Sequence, residues 1–514
     1  MSLRMVFMLA GLGLGSLPLA AQNASPSQAP SEDPRDRGGV YALHVKAKTV
    51  ILDVVVTDKQ GHAVTNLTQD SFTILEDRQP QRITSFERPG VHPLAGDVRI
   101  ESTADLDRKA PGAPVDLIVL DEINTRFEDM AFARYSLKKY LDAQPGKLSQ
   151  PTMLVAVDLH HMTVLKDYTQ DKASILSALN RHLSQYPYHL DTSSWTAERF
   201  SAAFGALMQV AEATVGHPGH KNMIWIGRGF PDVRTDTMQP EDEAQLADAI
   251  ELCINMLRDA RITLYSVDPA GVPSAPTPDV DGVDVADPFG GNFQFNDVAA
   301  ATGGKAFFGR NDVNVEIGAS VRDGASFYTL SYTPTDASDA AKPFRRIRVV
   351  MKDPSLRAVA REGYYAPRAS VASNTKSPSI ADRSKFDLLG ASETTLIYDG
   401  VPIALSRSEK DPAVIRLHIG REGIAWAGVG AEQTAKLQIL YAIFDRKDKL
   451  LSRTAKDLAV KNSSNPDEPD SQPGDINLLF RLPRNEAAAR LRVVVRMTDS
   501  GKVGAANLDI SAAK

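Results

Sequence analysis

Apolar and polar positions along this chain change period several times, and each change marks a different kind of element. From 41 to 90 the alternation in HVKAKTVILDVVVTD, SFTILEDRQ and QRITSFER is that of strands, with DKQGHAV and NLTQD supplying turn chemistry between them. This β module is small to stand alone and is expected to pack on another part of the chain. After a polar stretch at about 90–112, strand and helix patterns alternate over 113–325. Strand patterns occur at 115–121, 152–158, 162–168, 222–227, 262–268 and 305–308, and helical spacing lies between them. Such alternation predicts a doubly wound, mostly parallel sheet. The run at 162–168 follows its neighbour after three residues, too few for a crossover, so it is expected to lie antiparallel at an edge.

Strand patterns return over 326–366, where they are expected to pack with the first β module. A Ser/Pro/Asn-rich linker follows at 367–383, and 384–514 is again β-rich with turns between short strands, the spacing of a β-sandwich. The fold class is therefore multi-domain α/β plus β.

At the start, Arg4 precedes the apolar run MVFMLAGLGLGSLPLAA, and a polar Pro/Ser-rich stretch follows it. This is the pattern of a secretory signal peptide over 1–21 with a flexible leader over 22–40, which places the chain in the periplasm or outside the cell. No later run approaches spanning length, so no transmembrane segment is expected after cleavage. The net charge of −6 argues against nucleic acid or an anionic membrane as partner. Cys253 is the one cysteine, so no internal disulfide forms; its helical spacing with Leu246, Ile250 and Leu257 puts the sulfur in the core.

The stretch VDLIVLDEINT (115–125) is where chemistry is expected. It is a buried strand ending at Asp121, Asn124 and Thr125, just before a helical pattern. Ligands of open α/β sheets sit at that end of the strands. An acid, an amide and a hydroxyl there suit either a hard cation or a helix N-cap, and capping is the simpler of the two.

The blocks VVVTDKQGHAVTNLTQDSFTILEDRQPQRITSFE, VDLIVLDEINT, PGHKNMIWIGRGFPD, SFYTLSYTP and REGYYAP, in this order, resemble the VWFA-related domain proteins described from Acidobacteria. The resemblance covers roughly 46–367 and implies a von Willebrand factor A-like fold. In the wider superfamily a divalent ion is held by Asp-x-Ser-x-Ser from one loop, a Thr from a second and an Asp from a third. Carried over to this chain, Asp121 matches the first acid and Thr125 the last hydroxyl, while Ile123 stands where the first Ser belongs. The second loop offers Thr192, Ser193, Ser194 and Thr196. The third reads Gly227-Arg228-Gly229, with a guanidinium in place of the acid; Asn124 and Asp232 are substitute oxygen donors. The resemblance thus implies a degenerate site, with magnesium or calcium at Asp121, Asn124 and Thr125 as the metal alternative. An Asp121–Arg228 ion pair standing in for the metal is the expectation the guanidinium itself suggests.

Other candidates have simpler explanations. His160 and His161 point to opposite faces, and His217 and His220 in GHPGHK read as a turn. Asp279, Asp281, Asp284 and Asp287 lie in a long Pro/Gly insertion without the order of a calcium loop. No catalytic motif occurs in the sequence, so an enzyme is not expected. The function expected is an exported protein-binding module whose recognition face, around Asp121, Asn124, Thr125, Thr196 and Arg228, lies at the strand carboxyl ends. A metal-dependent hydrolase in the same crevice and a structural envelope protein are the alternatives.

Overall fold

In β1 (Val50–Thr57) the residues Val50, Leu52, Val54 and Val56 turn inward and are buried, the two-residue period of a strand with one covered face. The computed structural model describes residues 49–511, apart from 91–93, 95–97, 185–192, 235–237, 272–291, 335–343, 367–379, 409–410, 412, 425, 428–432, 463–473, 483–484 and 486. The expected signal peptide and leader, Thr192, the acids of the 269–292 insertion and most of the 367–383 linker lie outside the described residues.

Next come β2 (Phe72–Glu76), β3 (Gln79–Gln81), β4 (Ile83–Glu87), α1 (Thr103–Lys109), β5 (Val115–Asp121), α2 (Phe127–Asp142), β6 (Lys147–Val157) and β7 (Met162–Asp171). They are followed by α3 (Lys172–Arg181), α4 (Ser193–Thr214), β8 (Lys221–Ile226), β9 (Val233–Arg234), α5 (Pro240–Asp259), β10 (Ile262–Val267), β11 (Asn292–Phe293), α6 (Phe295–Ala301), β12 (Ala306–Phe307) and α7 (Val313–Ala325). The chain continues through β13 (Tyr328–Tyr332), β14 (Phe344–Met351), β15 (Arg357–Val359), β16 (Gly363–Tyr365), α8 (Ile380–Glu393), β17 (Tyr398–Asp399) and β18 (Ile403–Arg407). It ends with β19 (Val414–Ile419), β20 (Thr434–Phe444), β21 (Leu450–Lys461), β22 (Ile476–Arg481), β23 (Arg490–Met497) and β24 (Val503–Asp509).

The chain is a mixed α/β protein, and parallel pairing between its main strands is confined to one sheet. That sheet has the order β12-β10-β8-β5-β6-β7, with every neighbouring pair parallel except β6–β7. The short β6–β7 connection permits only the antiparallel pairing seen at that edge. β5, β8 and β10 are buried along their whole length, as strands covered on both faces must be. Met130, Ala133, Leu137 and Leu141 recur at helical spacing on α2 and pack with Ile118, Leu120, Ile224 and Ile226 of the sheet, alongside Val313 and Ile317 of α7.

The early and late strands interleave. β1 pairs with β13 and β15, and β2 with β14, all antiparallel, giving two four-stranded sheets, β15-β1-β13-β4 and β16-β14-β2-β3. Their inward residues form one core, from Leu52 and Ile74 to Leu330 and Ile347. In the tail, a five-stranded sheet (β17-β24-β23-β20-β21) and a three-stranded one (β18-β19-β22) likewise share a core. Residues 49–514 nonetheless form one unit. Thr394 Oγ1 donates to Met162 O (2.9 Å) and Val164 N donates to Thr395 Oγ1 (2.8 Å), tying the tail to β7. The buried Arg492 reaches back from β23 to Ala391 O and Leu396 O, both at 2.6 Å, and pins the end of α8 and the segment after it.

Candidate functional site

The carboxyl ends of β5, β8, β10 and β12 meet at one edge of the six-stranded sheet. Asp121, the last residue of β5, is fully buried there. Its Oδ1 accepts from Ile123 N (2.9 Å) and Asn124 N (3.1 Å); its Oδ2 accepts from Trp225 Nε1 (3.1 Å) and Gly229 N (2.8 Å). Burial pushes the carboxyl up to about 6, against the pull of those four donors, Asn124 N foremost.

That geometry bears on three expectations. A carboxylate offers about four lone-pair positions, and here each meets an N–H, so a cation at Asp121 would have to displace one of these donors. Among the described residues no group of three or more His, Cys, Asp or Glu side chains gathers as a metal site. Asp121 does not cap the following helix either: the N-cap of α2 is Arg126, which makes no side-chain capping bond, and the carboxylate instead closes the turn after β5. Nor does it pair with Arg228. The arginine side chain is 41% exposed, with Nη2 3.9 Å from Asp129 Oδ2 and Nε 3.9 Å from Asp268 Oδ1.

The Gly-Arg-Gly sequence explains why. Gly227 has φ +147°, and a Cβ there would lie 2.4 Å from Asp121 Cβ and 2.5 Å from Thr125 Oγ1. Gly229 has φ +70°, and its Cβ would fall 2.1 Å from the Phe295 ring. Both positions need glycine because backbone lies against the Asp121 loop and against Phe295. Between them Arg228 stays outside the closed crevice, and only its backbone N–H turns toward the loop, donating to Thr125 Oγ1 at 3.4 Å.

The remaining expected residues are placed as follows. Thr125 is buried beside Asp121. Asn124 is 7% exposed, and neither its amide oxygen nor its amide nitrogen has a hydrogen-bond partner. Thr196 lies in the first turn of α4, where its Oγ1 accepts from Arg199 Nη2 at 3.5 Å; no hydrogen bond among the described residues joins it to Asp121. Asp232 accepts from Gln294 Nε2 at 3.3 Å. His160 and His161 donate their backbone N–H groups to Asp158 Oδ1, an exposed turn. At the same edge Phe127, which opens α2, is 56% exposed and Phe308, just past β12, is 59% exposed.

The opposite edge holds what sequence reasoning missed. GHPGHK (216–221) is no ordinary turn, because its polar groups reach several distant parts of the chain. His217 Nε2 meets Ala113 O (2.8 Å), and Gly216 N and His217 N donate to Asp399. His220 Nδ1 meets Asp53 Oδ2 (2.9 Å), and Lys221 Nζ donates to His217 O and Ala260 O. Burial alone would raise the Asp53 carboxyl, but Arg261 and His220 hold it well below the usual range. A cavity of about 220 Å³ lies beside this knot, lined in part by His220, Arg261, Gln150, Arg88 and Phe327. The only sequence signal was two histidines flanking Pro-Gly at the start of a buried strand.

No helix among the described residues is long and apolar enough to cross a membrane. No protein-family model matches the chain, and no curated protein matches it. Among solved structures, it is similar to proximal thread matrix protein 1 from the mussel byssus (13% identity, 43% of this chain, 48% of that one, TM-score 0.25). It is similar also to the chicken interferon gamma receptor alpha chain (12% identity, 33% of this chain, 65% of that one, TM-score 0.15). A third is a calcium-binding mutant of Bacteroides uniformis beta-glucuronidase 2 (15% identity, 21% of this chain, 12% of that one, TM-score 0.12). The chain spans less than two thirds of each of these proteins, and likenesses this slight carry no conclusion about fold or function.

Proposed function

We propose that this is an exported protein-binding module, in which a VWA-like, doubly wound domain presents its recognition face at the carboxyl edge of the sheet and a β-sandwich-like tail packs behind it. The face works without a metal at Asp121. One observation carries this: the Gly-Arg-Gly loop holds Arg228 outward at an edge that also exposes Phe127 and Phe308. Arginine and aromatic side chains are the residue types that dominate binding at protein interfaces. Asp121 belongs to the support of the face rather than to its surface.

A photoreactive amino acid placed at Val315, exposed on α7 at this edge, tests the proposal in the producing cells. Cross-links to a second protein are expected from this position but not from Arg88 at the opposite edge. Phe308→Ser is expected to reduce them at least about fivefold, since a hot-spot truncation costs more than ~1 kcal/mol. Equal labelling from both edges would sink the proposal.

A further inference from the structure

Resting on that face, we infer that its partner brings a basic segment, whose lysine or arginine side chain docks on the cluster of acids where the first turns of α2 and α7 approach the end of β10. Its apolar neighbours then cover Phe127 and Phe308.

Asp129, Asp268, Asp312 and Glu316 stand here with the guanidiniums of Arg228 and Arg310 among them, and Arg126 and Glu128 also act on Asp129 from the start of α2. The guanidiniums do not satisfy them. Arg310 is committed to Asp312, with Nε at 2.8 Å and Nη2 at 2.5 Å, so only its Nε approaches Glu316 Oε1, at 3.4 Å and outside hydrogen-bond geometry. Arg228 lies 3.9 Å from both Asp129 and Asp268, too far to donate to either.

Asp129 Oδ2 and both carboxylate oxygens of Glu316 are therefore buried without a donor, although Glu316 is only 2% exposed. Both acids sit in the first turn of a helix, where the N-terminal dipole favours negative charge. The dipole accounts for their sign but supplies no hydrogen bond to these oxygens. Buried acceptors without donors are rare and costly. Burial raises the Glu316 carboxyl, with Asp312 and Asp268 adding to the rise and Arg310 opposing it, and burial likewise raises Asp129. An incoming ammonium or guanidinium supplies donors and positive charge together. Since these carboxylates do not converge as a metal site, a side chain carrying several N–H groups fits better than a bare ion.

The test uses the full chain and two fluorescein-labelled peptides of equal length, acetyl-Phe-Lys-Leu-Arg-Phe-amide and acetyl-Phe-Glu-Leu-Asp-Phe-amide, followed by anisotropy. The basic peptide is expected to bind at least tenfold tighter than the acidic one and to weaken as salt is raised. Glu316→Gln and Asp129→Asn are each expected to weaken it about tenfold; Asp129, whose side chain is 20% exposed, keeps the test usable if the Glu316 variant fails to fold. Acidic-peptide binding that is lost in Arg228→Ala overturns the inference while leaving the recognition face standing. Basic-peptide binding indifferent to both carboxylate variants, or no binding of either peptide, also overturns it. Cross-linking from Val315 decides the fate of the face separately.

Discussion

Trp225 donates its indole N–H to Asp121 Oδ2 at 3.1 Å, from β8 to the end of β5 beside it. With Gly229 N on the same oxygen, this bond turns an acid at a strand's carboxyl end from a surface ligand into an internal brace. The two loops that would form a binding crevice are locked to each other through that carboxylate.

Asp121→Asn puts an amide where the carboxylate receives four N–H donors, so at least one donor loses its acceptor. Unfolding in urea at pH 7 is expected to show a loss of roughly 2–4 kcal/mol, the cost of unpairing buried polar groups. Neither magnesium, calcium nor a chelator is expected to move the melting temperature of the wild-type protein. Calorimetric heats of cation binding abolished by Asp121→Ala would contradict the closed geometry.

Asp116, inside β5, is bonded by Asn222 Nδ2 at 2.8 Å, and burial pushes its carboxyl up to about 7. The folded protein therefore holds this proton more tightly than the unfolded chain does. Its contribution to stability is present below the ordinary carboxylate pKa and is lost as pH rises toward 7. Asp116→Asn removes the titration. The variant is expected to gain on the wild type between pH 4 and 8, by an amount on the order of 4 kcal/mol at the alkaline end. Parallel pH profiles for the two proteins would show that Asp116 does not titrate this way.

Asp53 behaves in the opposite sense. Arg261 Nη2 donates to its Oδ1 at 2.6 Å and His220 meets its Oδ2, so the folded state favours the anion. The stability it brings is present above the unfolded carboxylate pKa and disappears as pH falls below it. Asp53→Asn is expected to cost about 3–5 kcal/mol at pH 7, because it leaves Arg261 partly buried without its partner. The difference from wild type should shrink below about pH 4; a constant difference down to pH 2 would show that charge is not its source.

Gly229→Ala combines a left-handed backbone with a methyl group 2.1 Å from the Phe295 ring. A loss of roughly 2 kcal/mol or more is expected in denaturant melts, since backbone strain and overpacking add. Unchanged stability would mean the loop has room to shift and does not fix Arg228 outward.

Much of the architecture could be read from local pattern. The continuous apolar run of VDLIVLD announced a strand covered on both faces, and the three-residue gap before 162–168 fixed an antiparallel edge. Alternation in TVILDVVVT gave β1 its buried side, although nothing local said that its partner would be β13, nearly 280 residues later. Tail strands were visible too, but not the tie from Thr394 and Thr395 to β7.

At the site, strand periodicity and short loops were enough to bring Asp121, Asn124, Thr125 and Arg228 to the carboxyl edge. What they do there follows from contacts made only in the folded chain. A carboxylate's role depends on which donors surround it, and those of Asp121 come from its own loop and from residues more than a hundred positions away. The same holds for GHPGHK, whose partners Ala113, Asp53 and Asp399 belong to three distant stretches. Periodicity records which way a side chain faces, because facing is set by the backbone beside it. Pairing between distant polar groups leaves no local trace until the chain has closed.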